Sequence, residues 1–205
     1  MAGRRLWQGI IMEKRIQEMA EVSGEIQQNR NKYTIEDIPE IAQRILDKLD
    51  IKEAPVPIVA IMKSLKFQVV SADMEDEISG VIGIDDELNR NFISSKVIAV
   101  NNKDSFGHQR FTMAHELAHY LFDFDVSRRI VYYNAYNTKE VESEEEHRAN
   151  FFAANLLMPE KLFREEFPKA LVRNNLYLTV EKLSDIFQVS REAVRRRLLE
   201  LSLEV

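Results

Sequence analysis

The chain has 205 residues, 45% of them hydrophobic and 30% charged, with a net charge of −6. That suits one globular domain, or one with a small appendage, burying a real core, and it provides no global basic field for nucleic acid. There is no cysteine and there are only four histidines, which excludes disulfides and thiolate metal sites and leaves His, Asp and Glu to hold any metal.

No stretch approaches the ~18 apolar residues of a membrane span. Arg4 and Arg5 precede an apolar run over 6–12, but Gln8 and Gly9 break it and no small-residue cleavage site follows, so no signal peptide is expected and the protein reads as cytoplasmic.

Met12, Ile16, Met19 and Ile26 fall at helical spacing. Residues 1–32 therefore read as a peripheral helical segment, either packed on the body or free to meet a partner. Thr34 can cap a short turn before a helix whose face is Ile41, Ile45 and Leu49. Pro57 can open the next helix. Strands are expected over 67–72, 78–84 and 97–100, and Gly80 and Gly83 mark the second for a bulge or a close approach. Helices follow over 109–124, over 142–158 (stopped by Pro159), around 160–172, and as a pair over 179–203. Helix, small sheet, then helices gives an α+β class, divided as 1–32, 33–172 and 173–205.

The helix over 109–124 contains His115-Glu116-Leu117-Ala118-His119. Residues four apart share a helix face about 6 Å apart, so the two imidazoles can converge on one Zn²⁺, each at ~2.0–2.1 Å. Glu116 lies about 100° round the helix. It is poorly directed for a ligand but able to reach a water and act as general base. His108 and Asp123 each lie too far along the axis to share one ion with both histidines, by roughly 16 Å from His119 and 12 Å from His115 respectively. Without a metal, two packed histidines satisfied by hydrogen bonds would account for the same residues.

A third ligand is sought in residues 142–147. Glu146 shares the stripe of Ala149 and Ala153, with Asn150 four residues on, where its amide could hold a metal-bound imidazole. Ser143-x-x-Glu146 also fits a capping box that needs no metal, and His147 remains an alternative ligand.

Residues 115–120 (HELAHY), with 146–159 (Glu146-His147-Arg148-Ala149-Asn150, then Phe152, Ala153, Leu156, Leu157, Met158 and Pro159), resemble the ImmA/IrrE family of metallopeptidases over roughly 35–170. The resemblance implies a zincin-like metallopeptidase domain, with His115, His119 and Glu146 as ligands of Zn²⁺ (Mn²⁺ being a further possibility for the same donors) and Glu116 as the acid/base. It also implies a protein substrate, a DNA-binding repressor of the helix-turn-helix type whose cleavage relieves repression. Arg148 departs from the family, where an acidic residue or Gln is common, and residues 1–32 have no counterpart. Oxyanion donors are open among Tyr120, Tyr132, Tyr133 and His147.

Residues 183–198 resemble a helix-turn-helix, with Ser190 capping a second helix that carries Arg195, Arg196 and Arg197. From Val180 to Val205 five basic residues (Lys182, Arg191, Arg195, Arg196, Arg197) meet five acidic ones (Glu181, Asp185, Glu192, Glu200, Glu204). The sum is zero, so a structural or substrate-docking role is expected ahead of DNA binding through 179–203.

Overall fold

The computed structural model describes residues 17–124, 132–135 and 143–205. The start of the first helical segment, the apolar run over 6–12 and the side chains of Tyr132 and Tyr133 lie outside the described residues. Among those described, no helix is long and apolar enough to cross a membrane.

Helix α1 occupies 17–29. Its buried face is Met19, Val22 and Ile26, the period-3.6 stripe that a packed helix needs. Thr34 and Asp37 form a capping box ahead of α2 (Ile38–Lys48), which buries Ile38, Ile41, Ala42, Ile45 and Leu46. Pro57 caps α3 (Ile58–Ser64). Strands β1 (Gln68–Ala72), β2 (Ile78–Ile84), β3 (Lys96–Asn101) and β4 (Tyr132–Ala135) form one sheet in the order β1-β3-β2-β4. β1 runs parallel to β3, and β2 runs antiparallel to both β3 and β4.

The sheet's inner face receives α4 (Phe106–Ala118). Gly80 is what permits the approach. A Cβ there would stand 2.4 Å from Thr112 Cγ2 and 3.1 Å from the Ala99 carbonyl, and the β2–β4 register also shifts between Ile78 and Gly80. The glycine therefore serves a bulge and a close approach together. Behind α4 lie α5 (Glu144–Leu157) and, across it, α2.

The chain continues as α6 (Glu160–Ala170), α7 (Leu176–Phe187) and α8 (Arg191–Glu200). Gln188, with φ 53°, turns α7 into α8, and the Ser190 hydroxyl caps α8 by accepting from the Ala193 N–H at 3.1 Å. These helices are joined to the body by buried polar anchors. Arg110 donates to the Gln188 and Val56 carbonyls at 2.9 and 2.6 Å. Arg197 donates to the Met158 carbonyl at 3.0 Å and to Asn155 Oδ1 at 2.9 Å. At Gly107 a Cβ would stand 2.8 Å from the Val189 carbonyl carbon. One buried apolar cluster runs from Met19 in α1 to Leu198 in α8, so the terminal helices share the core of the central elements.

Candidate metal centre

Residues 113, 114, 117 and 118 of α4 are buried and apolar, and they fix the helix so that its opposite side presents His115 and His119 to the N-terminus of α5. Past Ala118 the helix widens into a π turn, His119–Asp123, closed by the Phe124 N–H donating to the His119 carbonyl at 2.9 Å. The sequence suggested uninterrupted α-helix here. π turns are uncommon and concentrate at functional sites. Helix α1 and the residue after it satisfy carbonyls here: Gln27 Nε2 donates to the Tyr120 carbonyl at 2.7 Å and Arg30 to the Phe124 carbonyl, just past the turn, at 2.5 Å.

The two Nε2 atoms stand 3.0 Å apart. Glu146 Oε2 lies 3.2 Å from His115 Nε2, and Oε1 lies 3.3 Å from His119 Nε2. His115, His119 and Glu146 thus form a group of donors suited to a metal ion. Both imidazoles are buried, while the Glu146 side chain is 40% exposed, which leaves one side of the cluster toward solvent.

The hydrogen bonds behind the rings test whether the cluster suits a cation. His115 Nδ1 lies 2.9 Å from Asn150 Oδ1, and His119 Nδ1 lies 2.7 Å from Asp123 Oδ2. An amide oxygen and a carboxylate can only accept, so each Nδ1 carries the proton and donates. In the neutral rings both Nε2 lone pairs then face each other and the Glu146 carboxylate. Such convergence is repulsive unless a positive charge sits among the three donors. Atoms 3.0–3.3 Å apart can each lie at roughly 2.0–2.2 Å from one centre, the distance zinc requires. The donor set fits a divalent ion.

The electrostatics without a metal agree. Burial works against a charged His119, but the Asp123 and Glu146 carboxylates outweigh it, and the imidazole is pushed up to about 9. Glu146 is held well below the usual carboxylate range by hydrogen bonds from His115 and His119. Both shifts express one demand for positive charge, which a proton meets in the metal-free protein.

Ser143 Oγ accepts from the Glu146 N–H at 3.2 Å, the backbone half of the anticipated cap, while the Glu146 carboxylate reaches the imidazoles. The Ser143 cap thus uses the Glu146 backbone N–H, while the carboxylate belongs to the imidazole cluster. Glu116 has 0% exposure and its charge acts on His119, which places it beside the cluster and away from bulk water. Asn150 lies on His115, at the position where the sequence suggested an orienting amide. His108 lies elsewhere, 3.1 Å from Ser79 Oγ. His147 is exposed and stacks on Phe151 at 6.5 Å. Tyr120 faces the sheet, with its hydroxyl accepting from Lys96 Nζ at 2.8 Å.

Sequence reasoning missed two residues. Asp123 was judged only as a ligand, and its partnership with the His119 ring was overlooked although the i,i+4 spacing signalled it. Arg148, noticed only as a departure from the family, forms an ion pair with Asp123 Oδ1.

Comparison with known proteins places this geometry. A family model described as Peptidase_M78, IrrE N-terminal-like domain, matches residues 62–199, which takes in every residue of the cluster and both C-terminal helices. No curated protein matches. Among solved structures, a Mycobacterium tuberculosis transcriptional regulator is similar in fold, with a TM-score of 0.51 at 18% identity, over 88% of this chain and 51% of that one. The chain thus spans about half the length of that structure. With the family model covering well over half of its residues, across the paired imidazoles, the carboxylate and the helices that hold them, the chain belongs to the IrrE N-terminal-like domain family of M78 peptidases.

Proposed function

We propose that this protein is a zinc-dependent endopeptidase that cuts a protein substrate in the cytoplasm. The substrate in this reading is a helix-turn-helix transcriptional repressor, whose loss relieves repression. The observation that carries it is the convergence of three lone-pair donors, His115 Nε2, His119 Nε2 and a Glu146 oxygen, each oriented from behind or from its helix cap. The repressor as substrate is supported by the family resemblance, and the solved structure of similar fold is named a transcriptional regulator.

His115, His119 and Glu146 would hold the ion. When bound, it supplies Lewis acidity toward a carbonyl and a water acidic enough to deprotonate near neutral pH. Glu116 takes that proton on its carboxylate and hands it to the leaving amine nitrogen. Manganese suits the same donors, and the metal that copurifies decides between the two.

Direct DNA binding through 179–203 is the weaker reading. Arg197, one of three consecutive arginines, is 3% exposed and bonded to Met158 and Asn155. Arg196 and Arg191 pair with Glu192 and Glu181. We assign the α7–α8 pair to packing and substrate docking.

The test is metal content followed by turnover. Wild type should carry about one equivalent of zinc, sharply reduced in His115→Ala and Glu146→Ala. Glu116→Gln should keep the metal and lose cleavage of a candidate repressor by at least 10²-fold. Repressor loss that persists in Glu116→Gln would overturn the mechanism. A wild-type protein that binds the repressor and leaves it intact would establish a regulatory binder in place of an enzyme.

A further inference from the structure

Asp123 and Arg148 belong to neither the ligand set nor the proton-transfer step, yet they stand directly behind it. Asp123 Oδ2 accepts from His119 Nδ1 at 2.7 Å, and its other oxygen pairs with Arg148. The carboxylate is 10% exposed and the guanidinium 26%. The Arg148 guanidinium also lies 5.8 Å from the centre of the Phe122 ring, so the π turn after α4 and the helix α5 meet through a polar contact beside the cluster.

We infer that Asp123 is the positioning residue for His119 and that Arg148 holds Asp123 in place, as an electrostatic strut between the π turn and α5. The inference rests on the metal-binding reading above. Three arguments support it. A carboxylate behind an imidazole fixes the tautomer and the ring plane, and so aims Nε2. His115 is backed by an amide and His119 by a carboxylate, so the two ligands are not equivalent. The third is the ion pair itself: Arg148 meets the other Asp123 oxygen where that carboxylate is 10% exposed, and removing one partner of a largely buried pair is costly.

Arg148 is also on the same helix as Glu146 and Asn150. One helix therefore supplies a ligand, the amide behind one histidine and the clamp on the carboxylate behind the other. A small rotation of α5 would disturb all three together.

Zinc affinity, read by competition with a chromophoric chelator on the full-length chain, tests this apart from turnover. Asp123→Ala should bind zinc 10–100-fold more weakly, and Asp123→Asn, which keeps an accepting oxygen, should fall between it and wild type. Arg148→Gln should weaken binding several-fold, and Arg148→Lys should recover most of the loss. Cobalt-substituted wild type and Asp123→Asn should differ in their visible ligand-field bands, which a change in folding alone does not produce. Metal-free unfolding midpoints, measured beside these, identify a variant that simply fails to fold. Asp123→Ala within twofold of wild type, or Arg148→Lys no better than Arg148→Gln in folded protein, would overturn this inference alone. A wild type that takes up no zinc would overturn it together with the metallopeptidase reading.

Discussion

His119 sits between two carboxylates, Asp123 at its Nδ1 and Glu146 at its Nε2, so binding of a metal there would depend on pH. In the metal-free protein its pKa is raised from 6.5 to about 9. The stabilisation this gives is fully present below the unfolded value and is lost as pH rises through about 9. Glu146 runs the other way: its folded pKa is lowered, so its contribution is present above the unfolded value of 4.5 and is lost as pH falls through the folded one. A divalent ion held by His115, His119 and Glu146 would take the place of the His119 proton. Two outcomes are expected. Zinc uptake should release about one proton per ion more near pH 7.5 than above pH 9, as read by titration calorimetry in buffers of different ionisation enthalpy. The rise in unfolding midpoint on adding zinc should be larger at pH 8.5 than at pH 6.5. Equal proton release at pH 7.5 and 10 would mean that no proton is held in the cluster.

At the scale of elements, the metal helix is positioned by what is missing from its neighbours. Gly80→Ala would drive a methyl into Thr112 on the metal helix and the Ala99 carbonyl. Overpacking of this kind costs about 1–3 kcal/mol, or roughly 2–12 °C in unfolding midpoint for a chain of this size, and should also weaken zinc binding because α4 must shift. Gly107→Ala meets the Val189–Ser190 backbone and should loosen the α7–α8 pair with less effect on zinc. A Gly80→Ala protein as stable as wild type would show that β2 and α4 have slack between them. The π turn after Ala118 belongs to the same scale. Its five-residue closure is where the straight-helix picture of 109–124 gave way, and Asp123, on that turn, meets the His119 ring.

Across the whole molecule, the chain ends are tied to the site through carbonyls. Arg30 and Gln27 of the N-terminal region bond the end of the metal helix. Arg197 bonds Met158, directly after the helix that carries Glu146. Arg197→Ala would strand the Met158 carbonyl and Asn155 in a buried region, at a cost of about 2–4 kcal/mol for the loss of charge-assisted bonds. Chemical denaturation should register this as a lower midpoint with the slope preserved. Duplex DNA should bind only weakly at physiological salt, since residues 180–205 sum to no net charge and the central arginine run is partly spent on internal contacts. Tight binding with a steep salt dependence would restore the DNA-binding reading.

The α+β class, three of the four strands and the helix of His115 and His119 are legible in the sequence, because these depend on short-range periodicity, capping and the fixed geometry of i,i+4 pairs. It also singled out His115, Glu116, His119, Glu146 and Asn150, since both blocks lie on regular helices whose faces can be worked out from spacing. Only the packed chain shows that the Glu146 carboxylate turns to the two imidazoles, which groups stand behind each ring, and that Arg148 pairs with Asp123. It alone brought β4 to the edge of the sheet and turned Arg197 inward. Those outcomes depend on contacts between residues far apart in the chain, as between Arg197 and Asn155 or between Ile78 and Ala135, and on the angle at which α4 and α5 meet. No local pattern encodes that angle, because it is set by the packing of both helices against the sheet and against the terminal helices at once.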